Sequence, residues 1–210
     1  MTQLLRSGSD WFCLSVLMNS PSPESFSVIV MGVSGCGKST VGALLADSLG
    51  AQFIEGDQFH PAENVSKMAA GQPLTDEDRY GWLHVLSNQL KLAHNSQRSV
   101  VMSCSALKES YRDILRMGAP NVWLVYLHAS FDVLNERVTA RSHQYMPASL
   151  LQSQLATLEP PTKGPRVLSY EVTTPAADIV VAVKTVLLGQ STPQSAHEVH
   201  PDNAVTQATQ

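Results

Sequence analysis

The stretch MGVSGCGKST, residues 31–40, constrains this chain more than any other. It follows the apolar run Val28-Ile29-Val30 and precedes the helix-forming VGALLADSLG. Gly32, Gly37, Lys38 and Ser39 match the spacing G-x-x-x-x-G-K-S/T of a phosphate-binding loop in its strand–loop–helix context. Glycines let the backbone turn tightly and aim several N–H groups at anionic oxygens, and the helix that follows adds its positive end. The expected nucleotide site is therefore Gly32, Val33, Ser34, Gly35, Cys36, Gly37, Lys38, Ser39 and Thr40. In it Lys38 reaches the outer phosphates of ATP and the Ser39 hydroxyl ligates Mg²⁺.

Such a loop needs a sheet behind it. Short apolar runs alternate with helical segments: strands are predicted at 27–31, 52–55, 99–103, 122–127 and 166–171. Helices are predicted near 39–49, 63–70, 76–93, 108–116, 131–140, 148–158 and 176–188. Thr75, with Asp78 three residues on, reads as a capping box opening the third helix. Uninterrupted Val/Ile/Leu strands separated by helices mean a parallel sheet covered on both faces. The fold class is α/β: a P-loop NTPase with a five-stranded parallel sheet, flanking helices and a small mobile lid. The folded unit is expected to span 27–189. Residues 1–26, with one short apolar run and then NSPSPES, and the polar tail 190–210 are expected to be disordered.

Composition removes several classes. A net charge of −4 argues against a general nucleic-acid binder. No run approaches the ~20 apolar residues of a membrane span. Cys13, Cys36 and Cys104 form no C-x-x-C pair, as expected of free thiols in a reducing compartment.

In open parallel sheets, ligands collect beyond the carboxyl ends of the strands. After the second strand this places Glu55, Asp57 and His60, and after the third Ser105, Lys108, Arg112 and Arg116. Arg137 and Arg141 share one helical face beyond the fourth strand. These are the parts phosphoryl transfer requires: cations against spreading charge and a carboxylate to orient the attacking hydroxyl. The chain has no N-K-x-D for guanine, and no acidic residue ends the third or fourth strand as in motor ATPases. A small kinase acting on a metabolite remains. It needs a lid to exclude water, and residues 141–149, RSHQYMPAS, are placed for one.

From about Val28 to Leu188 the chain resembles the gluconokinases, relatives of shikimate kinase. The blocks that carry the resemblance are MGVSGCGKSTVGALLA, GDQFHPAENVSKMAAGQPLTDEDR, CSALKESYRDILR and LLQSQLATLEPP. The resemblance implies transfer of phosphate from ATP to D-gluconate, giving 6-phosphogluconate, with Mg²⁺, in the cytoplasm, as a homodimer. Asp57 then orients the 6-hydroxyl, His60 bonds a hydroxyl, and Arg79 and Arg112 are candidates for the carboxylate or the moving phosphate. Ser105 and Lys108 complete the acceptor side, Lys38, Arg137 and Arg141 act on the phosphates, and Glu55 joins Ser39 in supporting the metal. Four positions depart from the family pattern. Glu55 stands for an expected Asp, Gly81 for a proline, and His143-Gln144 for a Gly-His pair in the lid. A kinase for another sugar acid or for shikimate, and a nucleotide binder without efficient catalysis, stay open as alternatives.

Overall fold

The structure, a computed structural model, describes residues 25–140 and 148–189. Strand β1 (Ser27–Met31) is fully buried, and its side chains Val28 to Met31 have no exposed surface. It runs straight into the phosphate loop, which ends at left-handed Gly37, the residue capping α1 (Lys38–Leu49). Helix α1 stops at Gly50, whose left-handed backbone lets its N–H reach Asp47 O (3.2 Å) while Ala51 N bonds Ala46 O (2.9 Å).

The chain then crosses to β2 (Gln52–Glu55), makes a single 3₁₀ turn over Gly56–Phe59 and enters α2 (Ala62–Ala69). Helix α3 (Asp76–Asn95) follows, then β3 (Val100–Ser103), α4 (Glu109–Arg116), β4 (Trp123–His128) and α5 (Phe131–Thr139). Helix α6 (Ala148–Thr157), β5 (Val167–Glu171) and α7 (Ala176–Leu187) complete the described chain.

All five strands are parallel, in the order β2-β3-β1-β4-β5. The chain leaves β1 for β2, returns to place β3 between them, and then builds outward on the other side. This reversal opens a crevice at the carboxyl ends of β1 and β3, beneath the phosphate loop. There Gly32 N donates to Ser105 O at 3.3 Å, joining the loops that follow those two strands.

Burial explains why these segments are helices. On α3 the residues Arg79, Trp82, Leu83, Leu86, Ser87, Leu90 and Ala93 form one buried stripe at helical spacing, against which the sheet packs. Its start is fixed by the expected capping box: Thr75 Oγ1 accepts from Asp78 N (3.2 Å) and Asp78 Oδ2 accepts from Thr75 N (2.9 Å).

The first two strands lie where sequence patterning places them, and the other three shift by a residue at one or both ends. Strand β4 starts at Trp123 because Val122 N is spent in a turn on Ala119 O (3.0 Å). The 3₁₀ turn after β2 is a feature that periodicity does not carry. Residues 141–147, most of the expected lid with Arg141, His143 and Gln144, lie outside the described residues, as do 1–24 and 190–210.

Candidate active site

A cavity of about 400 Å³ occupies the crevice. One wall is the phosphate loop with the start of α1: Ser34, Gly35, Gly37, Lys38 and Ser39. Facing it are Asp57 and His60 from the turn after β2, Arg79 and Trp82 from α3, and Ser105 from the loop after β3. Val65 and Met68 of α2, with Leu74, add an apolar flank, while Leu150, Ser153 and Gln154 of α6 close the remaining side.

The loop's geometry requires glycine at its first position. Gly32 has φ +137°, and a Cβ there would stand 2.3 Å from Leu127 O. Lys38 lies back across the loop and donates from Nζ to Val33 O at 3.1 Å. An ammonium has three N–H donors, so this bond leaves capacity for phosphate oxygens.

The second tight spot positions Asp57. A Cβ on Gly56 would meet Ser103 O at 2.3 Å, so the turn presses directly on the end of β3. Gly56 N donates to Ser103 Oγ (3.3 Å), Ser103 Oγ donates to Glu55, and Trp82 Nε1 donates to Gly56 O (2.9 Å). The exposed Asp57 carboxylate thereby sits on a turn clamped from three directions.

His60 stacks on Trp82 with ring centroids 4.0 Å apart and planes 16° from parallel. Burial holds its pKa below the ordinary 6.5; the Asp57 carboxylate opposes that shift and the Arg79 guanidinium adds to it. The imidazole is thus neutral at neutral pH. Asn64 Nδ2 is 3.5 Å from His60 Nδ1 and 2.7 Å from Asp78 O, an arrangement that suits Nδ1 as acceptor and leaves Nε2–H as donor.

Arg79 is 8% exposed and lines the cavity. Its hydrogen bonds run through Nη1, to Leu74 O at 2.6 Å and more distantly to Thr75 O and the Tyr111 hydroxyl, both at 3.5 Å. A buried guanidinium beside a cavity, without a carboxylate partner among the described residues, is suited to an anionic ligand.

Lys108 and Arg112, expected on the acceptor side, do not line this cavity. Lys108 pairs with Asp76 (2.7 and 2.9 Å), which the Tyr111 hydroxyl also contacts. Arg112 is 1% exposed and turns inward: Nη1 donates to Ala106 O (2.9 Å) and Leu107 O (3.2 Å), and Nε to Glu109 Oε2 (2.7 Å). Arg112 therefore holds the loop that presents Ser105, including Ala106 in its left-handed backbone (φ 44°). Arg137 lies to one side, with Nη2 donating to Val172 O at 2.8 Å.

For Mg²⁺ the residues fit in a particular way. Among the described residues no group of three or more His, Cys, Asp or Glu could hold a metal by itself. The Ser39 hydroxyl and the Asp57 carboxylate line the cavity, a hard-oxygen set that suits an ion held mainly by phosphate oxygens and water. Glu55 is committed through one oxygen to Ser103 and does not line the cavity, so it stands behind this set.

Sequence reasoning missed Trp82, Asn64 and Gln154. Trp82 follows Arg79 by one helical step, a signal that was available. Gln154 lies in the block LLQSQLATLEPP, but its contact with Ser34 spans 120 residues of chain and is not written in that block.

The Shikimate kinase family model matches residues 34–161. The thermoresistant gluconokinase of Escherichia coli K12 is 37% identical over 171 residues, covering 81% of this chain and 98% of that one. A crystal structure of a gluconokinase from Sinorhizobium meliloti superposes with a TM-score of 0.71 at 48% identity, over 79% of this chain and 93% of that one. An unliganded sugar kinase from a Janibacter species gives 0.74 at 40% identity, over 80% and 99%. The chain belongs to the gluconokinase family, on the phosphate-loop fold it shares with shikimate kinase.

Proposed function

We propose that this protein is a gluconokinase that transfers the γ-phosphoryl group of ATP to the 6-hydroxyl of D-gluconate, releasing ADP and 6-phosphogluconate. The observation that carries the reading is the continuity of one cavity, from Lys38 and Ser39 on the phosphate loop to Asp57, His60 and Arg79 opposite. An aldonate presents a carboxylate at one end and a primary hydroxyl at the other. The cavity offers a guanidinium for the first and a carboxylate for the second.

In this arrangement the backbone N–H groups of the loop and the N-terminal end of α1 hold the β- and γ-phosphates. Lys38 exchanges its bond to Val33 O for phosphate oxygens, where it opposes the charge that builds during transfer. Bound Mg²⁺, held by the Ser39 hydroxyl and the phosphates with Asp57 nearby, would supply further charge neutralisation. Asp57 accepts a hydrogen bond from the 6-hydroxyl and aims its oxygen at the γ-phosphorus, taking the proton as the P–O bond forms. Neutral His60 donates to a hydroxyl from Nε2, and the Arg79 guanidinium fixes the carboxylate. Trp82, Met68 and Leu74 keep water away from the acceptor. The same reading includes Mg²⁺ as cofactor, a cytoplasmic ATP supply and a homodimer, as the family resemblance implies, with Arg137 and Arg141 acting on the phosphates from the lid side.

A coupled ADP-release assay with MgATP over gluconate, other aldonates and shikimate tests this. Gluconate should stimulate ATP consumption well above the background without acceptor. Stimulation by another acceptor alone would reassign the substrate, and none at all with nucleotide still bound would leave a binding protein.

A further inference from the structure

Helix α6 and the residues just after it are fastened to both walls of the cavity. Near its middle, Gln154 Oε1 accepts a hydrogen bond from Ser34 N at 2.7 Å. Just beyond its last turn, Glu159 N donates to Leu107 O (2.9 Å) and Glu159 Oε2 accepts from Glu109 N (2.7 Å). Ser34 belongs to the phosphate loop, and Leu107 and Glu109 follow Ser105 on the opposite wall. The helix thus bridges the two loops that bound the cavity.

The amide of Gln154 is oriented by this contact. Ser34 N is a donor, so the atom facing it is the carbonyl oxygen, and planarity then fixes where Nε2 points. Gln154 lines the cavity, and among the described residues Nε2 has no hydrogen-bond partner. Its neighbours on that wall include Val138, Leu150 and Ser153, so two N–H donors stand on a wall without charge of its own beside the phosphate loop. The phosphates already have Lys38 and the loop's own N–H groups. A neutral donor at this place is suited to an acceptor hydroxyl lying close to the phosphoryl group.

We propose that Gln154 is a specificity-determining residue: its amide oxygen holds α6 on the phosphate loop, and its amide nitrogen donates to the acceptor hydroxyl beside the carbon that is phosphorylated. The proposal rests on the gluconokinase reading, which makes that group the C5 hydroxyl of gluconate. Arg79 and His60 serve the remainder of the acceptor.

The test compares kcat/KM for gluconate, 5-deoxygluconate and 3-deoxygluconate in the wild type, Gln154→Met and Gln154→Glu. In the wild type, loss of the C5 hydroxyl should lower kcat/KM about tenfold, the value of one well-made hydrogen bond. In Gln154→Met that penalty should shrink to about twofold or less, while the 3-deoxy penalty stays as in the wild type. Gln154→Glu keeps an acceptor for Ser34 N–H and should melt as the wild type does, which keeps the test valid if the Met variant folds poorly. Its remaining oxygen only accepts, so the C5 hydroxyl must reverse its bond, and the 5-deoxy penalty should change while the 3-deoxy penalty stays as in the wild type. An undiminished 5-deoxy penalty in Gln154→Met, or an unchanged one in Gln154→Glu, would overturn the proposal and leave Gln154 a strut. Failure of the wild type to use gluconate at all would refute the functional reading first, and this assignment with it.

Discussion

Replacing Arg112 by Met separates a residue that binds substrate from one that builds the wall. The side chain is 1% exposed, so Met fills most of its volume without its donors. Ala106 O then loses its bond from Nη1 (2.9 Å), whereas Leu107 O keeps the one from Glu159 N (2.9 Å). An unpaired buried acceptor together with lost charge-assisted bonds costs about 2–4 kcal/mol. The ion pair adds little, because Glu109 is 48% exposed and water takes over its carboxylate. For a chain of this size each kcal/mol moves Tm by about 2–4 °C, so a fall of about 5–15 °C is expected. Differential scanning fluorimetry measures it, and steady-state kinetics well below the transition should give a gluconate KM within about threefold of wild type. A Tm within about 1 °C of wild type with KM raised about tenfold or more would refute the reasoning and return the guanidinium to the substrate.

Two further perturbations address the chemistry. Lys38→Ala should lower kcat by about 10²-fold or more, because it removes a cation that acts on developing charge; Asp57→Asn should spare ATP affinity, measured by nucleotide titration, yet impair turnover. For His60, a folded-state pKa held below the ordinary 6.5 means that the unfolded chain binds more protons at mildly acid pH. The corresponding stability is fully present above 6.5 and is lost as pH falls through the lowered value; denaturant melts should show that His60→Gln flattens this acid slope.

The elements that sequence made legible are those written in local chemistry. The phosphate loop is a contiguous spacing, the α3 start a Thr75–Asp78 pair three residues apart, and the central strands β1, β3 and β4 mostly apolar runs. Asp57 and His60 are picked out because their segment follows β2, on the edge that the sheet's topology selects, whereas Arg79 enters only through the family resemblance. The same rule brings Lys108 and Arg112 beyond β3, but position beyond a strand does not say which way a side chain turns. Glu109 and the carbonyls of Ala106 and Leu107 draw Arg112 inward, and Asp76, 32 residues away, draws Lys108 aside. Asn64, Trp82 and Gln154 acquire their roles from partners brought together only by folding: Asp78 O, Gly56 O and Ser34 N. Glu55 keeps its place near the expected metal side but is spent on Ser103, a contact between strands that pairing register alone creates.

The most direct test of the central claim is a competition: the protein with MgATP and equal concentrations of D-gluconate and shikimate, followed by NMR of both acceptors. The ratio of their rates is then the ratio of kcat/KM. The cavity's pairing of Arg79 with Asp57 across an open-chain polyol predicts consumption of gluconate, with the new phosphate on C6 and shikimate left unchanged. Preferential phosphorylation of shikimate, or phosphate appearing on another gluconate carbon, would contradict it.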